Sequence, residues 1–291
     1  MSSAEPPVDA AWVALSLTKH MGGKTFINLV LHFNYDLPAI LNASPQTIRK
    51  VPGIGEKIAA AITQIDMNAV QAAITRWQSA GVRILTTHSP AYPRRLRTLK
   101  DAPPTLFVRG KENILNPPKT VAIIGTRNPS EQAKLRTYEL ALEFSRRNYI
   151  VVSGMAFGID KAAHLSTLSS YTGQTIAVLG NGILTPYPSQ HREIAESIMA
   201  RGALLCEVAP DAAVSTPGLV ARNRLITGMA DVVIVSETAA DGGAMHAVRF
   251  ARAQKRPVYT LDLPASGNRA LIDSGATPIA LDLSDLDNCF K

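Results

Sequence analysis

Cysteine is scarce in this sequence of 291 residues, and long apolar runs are missing from it. The two cysteines, Cys206 and Cys289, cannot build a disulfide framework, and neither belongs to a C-x-x-C pair of the kind that holds structural zinc. No stretch of about 18 apolar residues is present, which argues against a transmembrane helix. The first 15 residues lack a basic region followed by an apolar run, so no signal peptide is expected. These gaps predict a cytoplasmic protein that holds no metal and enters no membrane.

Acidic residues are outnumbered: 30 Lys and Arg stand against 23 Asp and Glu, and the net charge is +7. The excess is uneven, because residues 1–110 hold 12 Lys and Arg against 6 Asp and Glu, whereas residues 111–291 hold 18 against 17. A basic chain favours an anionic partner. The C-terminal part is not basic overall, so a polyanion bound there must enter a local pocket. Solubility alone is the alternative explanation of the charge.

The patterning of prolines and apolar residues divides the chain into three predicted parts. Residues 1–81 have helical spacing, and Ser44-Pro45 is typical of a helix N-terminus. We predict a small all-α domain there. Residues 82–118 are rich in proline, which disfavours helix, and are predicted to be a connector. Residues 119–291 form the third part.

In this third part, short β-branched runs alternate with helical stretches. The runs cover residues 121–125, 150–154, 176–180, 204–208, 231–236 and 257–261. The helical stretches cover residues 131–147, 159–170, 189–201, 220–229 and 243–254. Such alternation is typical of right-handed β-α-β units, with a parallel sheet buried on both faces by helices. We therefore predict an α/β domain with an extended Rossmann-like fold and a mostly parallel sheet.

Ligands of an open parallel sheet bind beyond the carboxyl ends of its strands. Several predicted strands are followed there by glycines and a helix start, a pattern that lets backbone amides approach a phosphate. We predict phosphate-binding turns at six of them. These are Gly125, Gly154, Gly180, Gly182, Gly242 and Gly243. For each glycine, the alternative is a tight turn with no ligand.

Four cations are predicted to converge on one rim of this region: Arg127, Lys161, Arg222 and Arg224. Arginine suits bidentate phosphate recognition, and lysine acts as a point charge. Phe157 lies in the turn before Lys161, where it is predicted to stack on a base, an interaction worth about 1–3 kcal/mol in single-strand sites. Surface ion pairing of Arg222 and Arg224, and core packing of Phe157, are the alternatives.

Signatures of common nucleotide enzymes are absent. The first strand is followed by Gly125-Thr126-Arg127-Asn128 rather than G-x-G-x-x-G, and the chain holds no G-x-x-x-x-G-K-[ST] sequence. Ser153 is not part of a G-x-S-x-G elbow, which argues against a hydrolase triad with Asp160 and His164. The sequence therefore predicts no cofactor and no enzymatic activity.

The ordered motifs of residues 92–276 resemble the DNA-processing protein A (DprA/Smf) family. The resemblance covers nearly 200 residues and several independent motifs. They include Gly125-Thr126-Arg127, Ser153-Gly154-x-Ala156-x-Gly158-Ile159-Asp160, Gly180-x-Gly182, Tyr187-Pro188, Arg222-Asn223-Arg224-x-Ile226, Gly242-Gly243-Ala244 and Gly267-Asn268.

The resemblance implies a Rossmann-like core that binds single-stranded DNA, forms a homodimer and helps load the RecA recombinase during natural transformation. It also implies that the N-terminal domain is of the SAM or helix-hairpin-helix kind. RecA contact and dimerisation have no short motif, so no residue can be assigned to them. The DNA contacts that the resemblance implies fall on Arg127, Lys161, Arg222, Arg224, Ser153, Phe157 and Asn181.

Two segments depart from the family pattern, and one N-terminal turn adds a further expectation. His191 replaces the usual Asn after Tyr-Pro, and the turn from Gly243 to His246 replaces G-S-x-x-T, which changes the polar lining of that loop. Gly53-Ile54-Gly55 resembles the turn of a helix-hairpin-helix, whose amides hold a DNA phosphate. A plain interhelical turn is the alternative.

Two other functions stay open on the sequence. Nucleotide phosphoribohydrolases on related folds use a G-G-x-G-T-x-x-E loop, but no Glu follows Gly243 before Arg256, so Glu237 would have to serve as the catalytic carboxylate. A sensor of small nucleotides would use the same pocket for a mononucleotide.

Overall fold

The computed structural model describes residues 8–289. Backbone contacts divide the chain into two compact units. The first comprises the residues up to Tyr92 together with Arg97–Phe107, and the second comprises Pro93–Leu96 together with the residues from Val108 onward. The segment 82–118, predicted as a connector, is shared between the two units and contains two strands. Within residues 8–289, no helix is both long and apolar enough to cross a bilayer.

The first unit consists mainly of short helices. They are α1 (Ala10–Ser16), α2 (Gly23–His32), α3 (Leu37–Asn42), α4 (Pro45–Ile48), α5 (Glu56–Thr63) and α6 (Met67–Ser79), followed by strand β1 (Arg83–Thr86). Side-chain caps begin several of them; Ser44 Oγ accepts a hydrogen bond from Thr47 N at 3.2 Å, as the sequence predicts. Their apolar faces meet in a core that includes Trp12, Phe26 and Ile62.

The turn between α4 and α5 contains Gly53 at a φ of +89°, a left-handed conformation that glycine adopts without strain. Helix α5 begins after Gly55 without a side-chain cap. Phosphate binding by this turn stays a prediction, as does the SAM or helix-hairpin-helix character of the unit.

The second unit alternates strands and helices. After α7 (Arg94–Arg97) and β2 (Thr105–Gly110), which cross the boundary between the units, come β3 (Thr120–Ile124), α8 (Glu131–Arg146), β4 (Ile150–Ser153), α9 (Ile159–Ser169), β5 (Thr175–Val178), α10 (Arg192–Arg201) and β6 (Ala203–Cys206). They are followed by α11 (Thr216–Ala221), α12 (Asn223–Met229), β7 (Val232–Val235), α13 (Ala244–Ala253), β8 (Val258–Leu261), α14 (Ser266–Asp273), β9 (Thr277–Ile279) and α15 (Leu286–Cys289). Single 3₁₀ turns lie at Glu112–Ile114 and Ser189–His191.

Seven strands of this unit pair in parallel in the order β6-β5-β4-β3-β7-β8-β9. All residues of β3, β4, β5 and β6 are buried, because helices cover both faces of the sheet. On one face Val121 and Ile123 pack with Leu140 and Phe144 of α8. The predicted Rossmann-like α/β fold is confirmed, and each of the six predicted strands is present within two residues at either end.

The strand order reverses next to β3. From β3 the chain builds β4, β5 and β6 outward on one side, and β7, β8 and β9 then lie on the other side. Loops that leave the carboxyl ends of β3 and β7 therefore diverge and leave a crevice between them, the usual ligand position in open parallel sheets.

Candidate functional site

A cavity of about 590 Å³ opens at this strand-order reversal. We call it the switch-point pocket. Its walls are the loop after β3, the first turn of α9, the loop after β7, and the segment that leads through α11 into α12. Its lining residues include Arg127, Asp160, Arg222, Thr238 and Gly243. The pocket is thus built from the strand-end segments in which the sequence placed the candidate residues.

The loop that carries Arg127 is fixed from both sides. Thr126 N donates to Glu237 O at 2.7 Å, and Ile159 N donates to Thr126 O at 3.2 Å. Gly158 has a φ of +74°, and a Cβ there would overlap the carbonyl oxygens of Thr126 and Arg127. The close approach of α9 to this loop therefore requires glycine. Held in this way, the exposed Arg127 side chain projects from a rigid base into the pocket.

Arg222 is not a free cation on the rim, which corrects the prediction from the sequence. Its side chain is 6% exposed at the junction of α11 and α12. Its Nη1 donates to Val178 O at 2.5 Å and also to Gly154 O. A Cβ at Gly154 would overlap the guanidinium. Arg222 therefore ties together the carboxyl ends of β4 and β5 and lies at the bottom of the pocket.

Arg222 shares its buried site with Asp160, whose Oδ2 lies 3.9 Å from Nη2 and accepts a hydrogen bond from Ala156 N at 3.2 Å. Burial raises the pKa of Asp160, and the Arg222 charge and the Ala156 amide oppose the rise. Burial lowers the pKa of Arg222, and the nearby Arg127 charge lowers it further. An arginine stays protonated in proteins. Two positive charges, one exposed and one buried, thus act on the same pocket, and the Asp160 carboxyl that also lines it is paired with the buried one.

Lys161 and Phe157 lie on the adjoining turn at the start of α9. Lys161 is exposed but is not among the residues that line the switch-point pocket. Phe157 is 39% exposed, and its ring meets the His191 ring in a T-shaped contact at a centroid distance of 4.7 Å. Phe157 lines a small cavity beside the pocket together with Arg127 and Tyr187. Its partial exposure leaves part of the ring open to a ligand, and simple core packing does not describe it.

His191, one of the departures from the family pattern, packs against this turn. Its Nδ1 lies 2.9 Å from Met155 O, and because a carbonyl only accepts, Nδ1 carries the proton. Burial lowers the pKa of His191, and the Lys161 charge lowers it further, whereas the Met155 carbonyl opposes the shift. The ring is therefore neutral at pH 7, and it serves as a packing surface for Phe157.

Three further predicted contacts lie away from the pocket. Arg224 is paired with Glu207, and both side chains are mostly buried. Ser153 is fully buried and its hydroxyl donates to Ile123 O at 2.6 Å. Asn181 is 2% exposed and lines a second groove instead. In this conformation none of the three side chains reaches the switch-point pocket.

The predicted phosphate-binding glycines fall into two groups. Gly125, Gly242 and Gly243 line the pocket, but a Cβ would overlap Ile159 at Gly125 and Thr238 Oγ1 at Gly242, so packing also requires glycine at these two positions. Gly180 and Gly182 serve packing, because a Cβ at Gly180 would lie 2.7 Å from Gly218 O, and one at Gly182 would overlap Pro210 O. Gly154 likewise leaves room for the Arg222 guanidinium. For these three glycines, the structure favours the alternative of a ligand-free turn.

The N-terminus of α13 supplies the second feature suited to an anion. The helix begins at Gly243-Ala244 on the pocket wall, and no side chain among the described residues caps it. A Cβ at Gly243 would meet nothing within 4 Å, so the backbone there is open to a ligand. The amides of Met245 and His246 already donate to Gly242 O at 3.0 Å and Gly243 O at 3.2 Å, so the helix dipole and the backbone at Gly243-Ala244 are what this end offers a phosphate.

Glu237, which would have to be the catalytic carboxylate of a phosphoribohydrolase, is hydrogen-bonded to Ser130 instead. Its Oε2 accepts from Ser130 N at 2.7 Å and its Oε1 from Ser130 Oγ at 2.9 Å, at the start of α8. It is not among the described residues that line the pocket. Tyr187 and Val214 do line it and were not predicted as site residues; the Tyr-Pro pair after the third strand was the available signal for Tyr187.

The fold and the pocket define a class of protein: a Rossmann-like α/β protein with a cationic, amide-rich pocket at the switch point of its sheet, suited to a phosphate-bearing ligand. The sequence profile of the family described as DNA recombination-mediator protein A matches residues 83–290. The chain belongs to that family.

Relatives and solved structures agree with this assignment. The chain is 32% identical to Protein Smf of Synechocystis sp. over 93% of its own length and 70% of the relative, and 29% identical to DprA of Bacillus subtilis over 71% of each. DprA of Streptococcus pneumoniae has the same fold, with a TM-score of 0.83 at 24% identity over 98% of this chain and 99% of that one. DprA of Helicobacter pylori, described for its single-stranded-DNA-binding mode, matches 71% of this chain and all of its own at a TM-score of 0.64 and 28% identity.

Proposed function

We propose that this protein binds single-stranded DNA in the switch-point pocket and acts, without catalysing a reaction, as a recombination mediator. One observation carries the proposal: the exposed Arg127, the buried Arg222 and the uncapped N-terminus of α13 all line one cavity. Phosphodiester groups need fixed positive charge and amide donors rather than base-specific contacts. The single-stranded-DNA binding described for the Helicobacter pylori relative supports the same ligand.

In this proposal Arg127 and Lys161 contact phosphates directly. Both are exposed, and both lie on turns that are anchored to the sheet. Phe157 stacks on a base, which tolerates any sequence because every base has a π-face. Arg222 acts from below the pocket floor through the electric field of its positive charge. The low dielectric there screens that charge less than water does.

The wider role rests on family membership. We propose that the protein works as a homodimer in the cytoplasm and helps place RecA on single-stranded DNA during natural transformation, as the resemblance implies. Formation of RecA filaments on oligonucleotides covered by a single-strand-binding protein, with and without this protein, tests that role. Faster filament formation in its presence is expected, and an unchanged rate would argue against it.

Binding of short fluorescent oligo-dT should weaken steeply as salt is added. On single strands the slope of log K against log salt is about −0.7 per neutralised phosphate, so contacts from Arg127 and Lys161 should give roughly −1.4. Fluorescence anisotropy across a NaCl series measures it. A slope near zero would rule out phosphate recognition as the basis of binding.

Competition in the same titration separates the alternatives. We expect dTMP and AMP to displace oligo-dT only at concentrations far above those of an unlabelled oligonucleotide, and AMP to remain intact. Displacement at equal concentration would favour a sensor of small nucleotides. Release of adenine would favour a phosphoribohydrolase.

A further inference from the structure

A second groove of about 670 Å³ adjoins the switch-point pocket, and Arg127, Lys161 and Phe157 do not line it. Tyr187 and Val214 line both cavities and are 39% and 43% exposed, so they form the ridge between them. We call this second groove the Tyr187 groove and define it by Arg109, Asn181, Leu184, Tyr187, Arg192 and Met199. A chain that leaves the pocket across this ridge enters the groove directly.

The walls of the Tyr187 groove combine apolar surface with loosely held positive charge. Leu184, Tyr187 and Met199 supply the apolar surface. Arg192 is 84% exposed, and among residues 8–289 its ion-pair partner is Glu196 at 3.4 Å on the same helix, itself 61% exposed. Exposed ion pairs four residues apart on a helix contribute about 0.3–0.5 kcal/mol to stability. Arg192 is therefore free to exchange Glu196 for a phosphate, and Arg109 stands on the same groove.

Asn181 adds an acceptor that no residue in the described part of the chain satisfies. Its Nδ2 donates to Thr185 O at 2.7 Å and to Gly182 O at 3.1 Å. Carbonyl oxygens only accept, so the amide cannot be flipped, and Oδ1 must be the other atom. Oδ1 is buried and has no hydrogen-bond partner, an arrangement that costs about 1–3 kcal/mol. Asn181 is only 2% exposed, so a ligand N–H reaches Oδ1 when the groove wall around it shifts, and the bond then recovers that cost.

We propose that the Tyr187 groove is a second subsite of the DNA strand, which takes the nucleotides next to those in the switch-point pocket. This inference rests on the proposed function. Phosphates meet Arg109 and Arg192, and a base packs beside Tyr187 with an amino or imino N–H directed to Asn181 Oδ1. Every DNA base carries such a donor, so the subsite does not select sequence.

The test is the affinity for a ladder of fluorescent oligo-dT, two to twelve nucleotides long, measured for wild type and for Arg109→Ala/Arg192→Ala. We expect equal affinities for the shortest oligonucleotides that wild type binds, since these fill the switch-point pocket alone. For longer ones, the affinity of wild type should keep rising while that of the variant stays about tenfold or more lower, because two phosphate contacts are lost.

The matched control is Arg146→Ala/Arg269→Ala, which removes the same charge from exposed arginines, each paired with a carboxylate on the same unit, that line neither cavity. It should follow wild type at every length. Arg192→Ala alone repeats the test at a single exposed side chain if the double variant is poorly soluble. The inference is overturned if the groove variant follows wild type at all lengths, or if it loses the shortest oligonucleotides equally. If wild type binds no oligonucleotide at all, the proposed function itself fails.

Discussion

Replacing Arg222 by alanine should lower the free energy of unfolding by about 3–5 kcal/mol, because removal of one partner leaves the other charge of a buried pair uncompensated. Asp160 would lose its cationic neighbour, and the carbonyls of Gly154 and Val178 would lose their donor. At about 2–4 °C per kcal/mol for a unit of this size, the melting temperature should fall by roughly 10 °C. Calorimetry of the purified variant measures both quantities.

Arg224→Ala is the internal control for this result. Arg224 is two residues away and pairs with Glu207, but it lies outside the pocket and is more exposed than Arg222. Its loss should cost clearly less stability. An Arg222→Ala protein that melts like wild type but binds no DNA would contradict the structural role and restore the sequence-based hypothesis of a rim contact.

The double substitution Arg127→Ala/Lys161→Ala should lower the affinity for oligo-dT by about 100-fold, since each lost charge-assisted contact is worth about 1.4 kcal/mol or more. The melting temperature should not change, because both side chains are exposed and the turns that carry them are held by backbone hydrogen bonds. Anisotropy and thermal melting on the same sample separate binding from folding.

The control for the double substitution is again Arg146→Ala/Arg269→Ala, which changes the net charge by the same amount. If the control loses affinity equally, general charge attraction explains binding and the pocket does not. An unchanged affinity in Arg127→Ala/Lys161→Ala would remove both residues from the proposed DNA contacts.

Much of the fold could be predicted from the sequence, because period and composition are local signals. Buried parallel strands such as Thr120–Ile124 are short β-branched runs, and Ser44 and Ser130 mark helix starts. Strand β9 was not predicted, because Thr277–Ile279 is only three residues long and contains proline. The helix predicted at 220–229 is two helices that meet at Arg222.

The position of the site was also predictable, whereas the role of each residue was not. The rule that ligands bind beyond the carboxyl ends of parallel strands placed Arg127 and Gly243 on one pocket, because topology alone brings those loops together. Burial of Arg222 depends on Gly154 and Asp160, which lie more than 60 residues away in sequence. Likewise, the close approach of Gly180 to Gly218 is a tertiary detail that a motif does not record.

A crystal structure with a short oligo-dT would show directly whether DNA occupies the switch-point pocket. We expect a backbone phosphate within about 3 Å of the Arg127 guanidinium, near the first amides of α13, with a base on Phe157. Arg222 should keep its bonds to the ends of β4 and β5. A strand bound only at the turn of residues 52–55, with the switch-point pocket left unfilled, would contradict it.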